Sequence, residues 1–149
     1  MKTIETRDVP QANSLNKVCD LLALVSVGIE DAEDLMNELG LVRREIEYYK
    51  HAARILGFAK FGEGHFSITD AGDVFLRVKT PVEKGQLLAE AIQGAVVFAD
   101  LFVHCGSRHP GKAQVVSFLL ARTELNKTTA ARRADTILAW LKTIEESEI

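Results

Sequence analysis

Arg132 and Arg133 follow Lys127, Thr128 and Thr129 at the head of the stretch NKTTAARRADTILAWL, residues 126–141. A guanidinium presents N–H donors in a planar fork, and a pair of them beside hydroxyls suits phosphate oxygens or the O6/N7 edge of guanine. If the stretch opens a helix, Thr128 or Thr129 is the expected N-cap, and the free amides and partial positive charge of that end favour an anion further. The ordinary alternative is a solvated helix face on which Arg132 and Arg133 pair with Glu124 or Asp135. A second basic group, Arg43, Arg44, Lys50 and Arg54, lies in LVRREIEYYKHAAR, residues 41–54, and also begins at a helix head. Glu45 and Glu47 dilute it, an i,i+4 pair of Glu47 with His51 is the plain alternative, and Tyr48 or Tyr49 adds a phenol donor while the other enters the core. The residues expected to touch DNA are therefore Arg43, Arg44, Lys50, Arg54, Lys127, Thr129, Arg132 and Arg133.

Other chemistry has weaker support. His104, Cys105 and His109 in HCGSRH are the nearest thing to a metal cluster, but a zinc site needs a fourth ligand and paired spacing. Neither a GxxxxGK[ST] phosphate loop nor a GxGxxG fingerprint occurs. The acidic run EDAEDLMNE reads as a solvated helix face with its acids near the N-terminus, where the dipole favours them. The expectation is a non-enzymatic protein without metal or cofactor.

The chain has 149 residues, room for one domain or two very small ones, and 47% of them are hydrophobic, enough for a core. No run of eighteen apolar residues is present, and MKTIETRDVP lacks the apolar stretch of a signal peptide. Cys19 and Cys105 form no CxxC pattern, which suits a reduced, cytoplasmic protein without a membrane partner. The net charge of −3 argues against a coat of basic residues for nucleic acid, and leaves room for a local basic face on an acidic body.

The elements that must carry these residues are mostly helices. Residues 1–13 show no periodicity and contain Pro10, so they are expected to form a flexible arm. Helical spacing predicts helices near 15–27 with Ser14 as N-cap, 31–39 closed by Gly40, and 42–56 closed by Gly57. The period then changes, and FAKF and HFSIT around GEG predict a hairpin over 58–69, with Glu63 at a tip otherwise open to phosphate contact from Lys60 and His65. Helices follow near 70–78, 83–103, 113–122 and 129–145. Phe58, Phe66, Ile68 and Phe75 are the expected seam between wing and helices. On the last helix Ala134, Ile137, Leu138, Leu141 and Ile144 form the buried stripe, Trp140 enters the core or an interface, and Arg132, Arg133, Thr136 and Thr129 lie off the stripe.

Helix, short helix, turn, longer helix and hairpin is the order of a winged helix-turn-helix, expected over 14–80. Pro81 marks the boundary to a second helix-turn-helix-like unit over 81–149, which has no wing. The fold class is mainly α with one short β-hairpin. The segment LGFAKFGEGHFSITDAG strongly resembles the helix end, wing and following turn of winged-helix proteins. TTAARRADTILAWLKTI resembles the C-terminal T..RRA.T...WL.W signature of a small helical domain associated with bacterial type II restriction endonucleases. The match covers Thr129, Arg132, Arg133, Ala134, Thr136, Trp140 and Leu141, while Thr143 stands where that family often has a second aromatic. No PD…(D/E)xK nuclease motif accompanies it. The resemblance implies a recognition module for duplex DNA, linked to restriction or defence and lacking the nuclease. Modest affinity for one module points to a homodimer on a palindrome. The alternative is a protein-interaction module, an inhibitor or adaptor from a phage or bacterium acting on a nuclease or polymerase.

Overall fold

The computed structural model describes residues 2–147; Met1, Glu148 and Ile149, the outer ends of the expected arm and last unit, lie outside the described residues. The protein is mainly helical with one two-stranded antiparallel sheet. The first unit contains α1 (Leu15–Ser26), α2 (Ala32–Leu39) and α3 (Arg43–Ile55), which pack on one another. Ser14 caps α1 by accepting from the Lys17 amide, and Asp31 caps α2 by accepting from that of Glu33. Gly40 closes α2 in the left-handed region at φ 66°, a conformation that glycine adopts without the Cβ penalty. At the head of α3 the Glu45 carboxylate reaches back to the Val42 amide at 3.1 Å.

The wing follows as β1 (Ala59–Gly62) and β2 (His65–Ile68), with Phe61 opposite Phe66. Glu63 and Gly64 both have positive φ, 51° and 79°, as a two-residue type I′ hairpin turn requires. Thr69 then does two jobs: its hydroxyl donates to Gly57 O and accepts from the Gly72 amide, so it ties the wing to the end of α3 and caps α4 (Asp70–Arg77). Of the expected seam, Phe58 and Phe75 are buried and stacked at 4.5 Å, whereas Phe66 and Ile68 are only half-buried against the core.

The second unit contains α5 (Pro81–Gly94), α6 (Val96–Cys105), α7 (Lys112–Arg122) and α8 (Lys127–Ser147). The helical stretch expected over 83–103, read as one or two helices, is two, bent by 69° at an extended Ala95. Gly94 is a poor helix former, and the bend carries Val97, Phe98 and Leu101 into the core, where Phe98 stacks on Trp140 at 5.7 Å. Among the described residues no single helix is long and apolar enough to cross a membrane. α8 packs on both α5 and α7 and buries Ala130, Ala134, Ile137, Trp140, Leu141 and Ile144. Leu138, expected in that stripe, is half-buried.

Two further expectations need correction. The flexible arm expected over 1–13 is a docked segment over its described residues. Ile4, Val9 and Ala12 are buried, Thr6–Asp8 makes one 3-10 turn, and the Thr3 and Ile4 amides bond to Arg122 O. Its apolar residues are spaced irregularly because the segment follows the surfaces of α3, α7 and α8, and no helix or strand period arises. Secondly, α8 starts earlier than expected, and Asn126 is its N-cap, with Oδ1 accepting from the Thr129 amide at 2.9 Å. Thr128 and Thr129 are therefore inside the first turn, and Arg132 and Arg133 fall in the second, away from the free amides.

The tightest point of the first unit is Gly72. A Cβ there would lie 2.1 Å from Phe58 O and 2.7 Å from Ile68 Cγ2. Neither neighbour is the free end of a flexible side chain, so Gly72→Ala must push α4 off the wing. Chemical denaturation is expected to show a loss of about 3 kcal/mol, the upper part of the usual range for overpacking. A midpoint within error of the parent protein would mean that α4 and the wing are not packed this way.

Candidate nucleic-acid interface

The two basic groups read in the sequence lie on different units, at the head of α3 and in the second turn of α8. The N-terminal segment joins them. On the α3 side, Arg54 Nη1 donates to Asp8 Oδ1 and its Nη2 to Arg7 O, both at 2.8 Å, while its Nε donates to His51 Nδ1 at 3.1 Å. On the α8 side, Arg133 Nη1 donates to Thr6 O at 2.9 Å and Val9 O at 3.0 Å. Further along, the Thr136 hydroxyl donates to Asn13 Oδ1 and the Trp140 indole donates to Ala12 O at 2.8 Å. The Ser14 amide, where the segment enters α1, donates to the Tyr49 hydroxyl at 3.2 Å.

Between these fixed points runs an open cleft of about 500 Å³, lined by Gln11, Asn13, Arg44, Tyr48, Arg132, Arg133, Asp135 and Thr136. Arg44 and Tyr48 stand one turn apart on α3 and face it from one side. Arg132, Arg133 and Thr136 face it from α8. Arg44 and Arg132 are exposed, and among the described residues neither makes an ion pair; Arg132 only reaches the Thr129 hydroxyl, at 3.4 Å. The one carboxylate lining the cleft, Asp135, is held by Lys112 at 3.0 Å. Burial shifts Arg133 below the ordinary arginine value; the Tyr48 phenol opposes that shift and the Arg132 charge adds to it. It remains a cation at neutral pH, with backbone carbonyls and no carboxylate as its partners.

The structure thus brings together Arg44, Arg132 and Arg133 out of the eight expected contacts. The rest stand elsewhere. Arg43 is exposed but paired to Glu33 of α2 at 3.2 Å. Lys50 is largely covered, 4.0 Å from Glu47 and with its ammonium over the Phe66 ring, so it braces the wing against α3. Arg54 serves the N-terminal segment. Lys127 is exposed at the first position of α8, and half-buried Thr129 supplies its amide to the Asn126 cap and its hydroxyl to Arg132. Thr136, expected off the buried stripe, is itself buried because its hydroxyl bonds to Asn13. Of the two tyrosines Tyr49 is the buried one, and Tyr48 faces the cleft. Gln11 and Asn13 were not foreseen at all, since nothing in an aperiodic stretch marks it as the floor of a cleft.

The HCGSRH residues lie far from this constellation in the contacts they make. His104 packs edge-on against Phe118, His109 Nδ1 lies 3.1 Å from Glu145, and burial raises the Cys105 thiol.

Residues 17–148 match the protein-family model described as "Domain of unknown function (DUF7226)", which spans both units. Comparison with curated proteins gives no match, and comparison with solved structures gives none.

His51 provides a check on how the segment is held. Burial first, and then the Arg54 cation, lower it from the ordinary histidine value of 6.5, in keeping with a ring nitrogen that must stay unprotonated to accept from Arg54. A histidine with a depressed folded value binds its proton more readily in the unfolded chain. Stability is therefore complete above pH 6.5 and falls as pH drops through that value toward the lower folded one. Urea denaturation at about pH 7.5 and about pH 5.5, spanning the histidine range, is expected to show a larger acid loss for the parent than for His51→Gln. Equal losses would remove His51 from the clamp.

Proposed function

The chain belongs to the DUF7226 family, a name that carries no activity, and from the geometry above we propose that it binds duplex DNA without cutting it. The observation that carries this is that Arg44 of α3 and Arg132 of α8 line one cleft and that, among the described residues, neither makes an ion pair. Exposed, unpaired guanidiniums retain their full attraction for phosphate and release counterions when they bind it. The resemblance of the last helix to recognition domains of type II restriction enzymes supports a stand-alone recognition or regulatory module in restriction or defence. Two copies on a palindrome would raise the modest affinity of a single module.

A second reading, docking onto a protein partner, is favoured by a specific observation. Arg43, Lys50 and Arg54 are already engaged by Glu33, Glu47 and Asp8, and the net charge is −3. A basic partner would meet less opposition than a DNA duplex on most of this surface.

Fluorescence anisotropy with random duplex DNA over a salt series separates the two. The duplex reading expects binding that weakens steeply with salt. Arg44→Ala with Arg132→Ala together should lower the slope of log affinity against log salt by about two units, one for each lost phosphate contact. Relaxed sequence preference in the same variant would add base reading to anchoring. No binding by the parent at low salt, or an unchanged slope in the double variant, would end the duplex reading and leave the protein partner.

A further inference from the structure

The floor of the cleft has a feature that duplex binding does not use. Arg133 is held rigidly, but only through Nη1, which donates to Thr6 O and Val9 O. Its Nε and Nη2 make no hydrogen bond within the described residues. Among the described residues no buried side-chain nitrogen or oxygen lacks a partner, so both atoms reach solvent, and Arg133 is one of the residues that line the cleft. Nε–H and Nη2–H are the edge of the guanidinium that grips an oxyanion with two parallel bonds. The side chain is fixed beforehand by the segment, so that grip costs little further ordering.

The surroundings complete an anion cage. Arg132 and Arg44 bring two more guanidiniums. The Thr136 hydroxyl donates to Asn13 Oδ1, which leaves the Asn13 NH2 group as a donor without a hydrogen bond among the described residues, and Gln11 also lines the cleft. Tyr48 supplies a phenol and an aromatic face. The opposing charge, Asp135, is countered by Lys112 at 3.0 Å. A cleft of about 500 Å³ is larger than one phosphate needs and falls within the roughly 300–1,000 Å³ of small-ligand sites.

We infer that this cleft is a binding site for a terminal phosphate monoester of nucleotide size, with Arg133 gripping the phosphate from the floor and Arg44 and Arg132 closing over it from the two walls. A terminal monoester carries a charge of about −1.5 to −2 at neutral pH, against −1 for an internal diester, and it presents three acceptor oxygens to three guanidiniums. The same group occurs on a free nucleoside monophosphate and on the 5′ end of a DNA strand. The inference stands apart from the duplex reading, which asks only for internal phosphates along the rim.

The test uses the full chain in two formats. Calorimetric titration compares a deoxynucleoside 5′-monophosphate, the matching nucleoside and inorganic phosphate. Anisotropy compares one short blunt duplex with and without 5′-phosphates. The expected result is a nucleoside at least tenfold weaker than its monophosphate, or a phosphorylated duplex at least tenfold tighter than its counterpart. The first arm identifies a free nucleotide and the second a strand end. Arg132→Gln, which touches none of the bonds to the N-terminal segment, should weaken the favoured ligand at least fivefold. Arg133→Lys should weaken it more, because one ammonium cannot serve the carbonyls and the phosphate together; circular dichroism and the melting temperature show whether it stays folded. The inference is overturned if neither phosphorylated probe outbinds its unphosphorylated partner, or if Arg132→Gln and Arg44→Gln both bind it as the parent does. Binding of the unphosphorylated duplex is scored separately, so failure of the duplex reading is not confused with failure of this one.

Discussion

The structure depends on one constraint: an N-terminal segment with no more than one 3-10 turn must be fixed between α3 and α8. Arg54 and Arg133 do this from opposite sides, each using its guanidinium on the segment's backbone carbonyls, and Trp140 locks the far end through Ala12 O. Hydrogen bonds from charged donors are each worth about 1.5–3 kcal/mol net, more than neutral ones. They also satisfy backbone groups that would otherwise be stranded as Val9 and Ala12 enter the core. The helical units make few direct contacts with each other outside α4 and α5, so the segment sets how far apart the walls of the cleft stand.

That arrangement explains why the positive charge of this acidic protein is divided. One group of basic side chains has been taken up by the architecture: Arg54 and Arg133 by the segment, Lys50 by the wing, and Arg43 by α2. The other cations among the expected DNA contacts, Arg44, Arg132 and Lys127, make no ion pair among the described residues and sit on exposed helix positions. A cation already paired in the free protein gains little by exchanging a carboxylate for a phosphate, whereas an unpaired one gains the whole interaction. On the proposed reading the second group would carry the binding, with Arg133 in an intermediate place because only its Nη1 is engaged by the segment.

Much of the fold was legible because it rests on local signals. The helix period, the capping role of Ser14, the Gly40 stop and the change to alternation at Phe58 each identify an element from a few neighbouring residues. The last-helix stripe was legible for the same reason. What stayed hidden depends on contacts distant in sequence. Nothing near Val9 or Ala12 announces that they are covered by α8, more than a hundred residues later, so the segment read as loose. Gly94 weakens the helix locally, but the place of the bend at Ala95 is decided by Phe98, which gains a position against Trp140. The cap of α8 was misassigned because Asn126 and the two threonines are all good caps, and only the chain path from α7 decides among them. Arg44 and Arg132 were both singled out, yet their meeting in one cleft follows only from the docking of the segment.

The terminal-phosphate site requires these two arginines to act on one phosphate from opposite walls, whereas duplex binding alone gives each its own internal phosphate. A double-mutant cycle measures this most directly, with Arg44→Gln, Arg132→Gln and the combination titrated with one phosphate-bearing DNA probe at fixed salt. Shared contacts predict a coupling of about 1 kcal/mol, in the range found for residues of one network, so that losing both costs less than the sum of the single losses. Additive losses, within the roughly 0.3–0.5 kcal/mol typical of independent sites, would mean that the two side chains serve separate surfaces and would contradict the account.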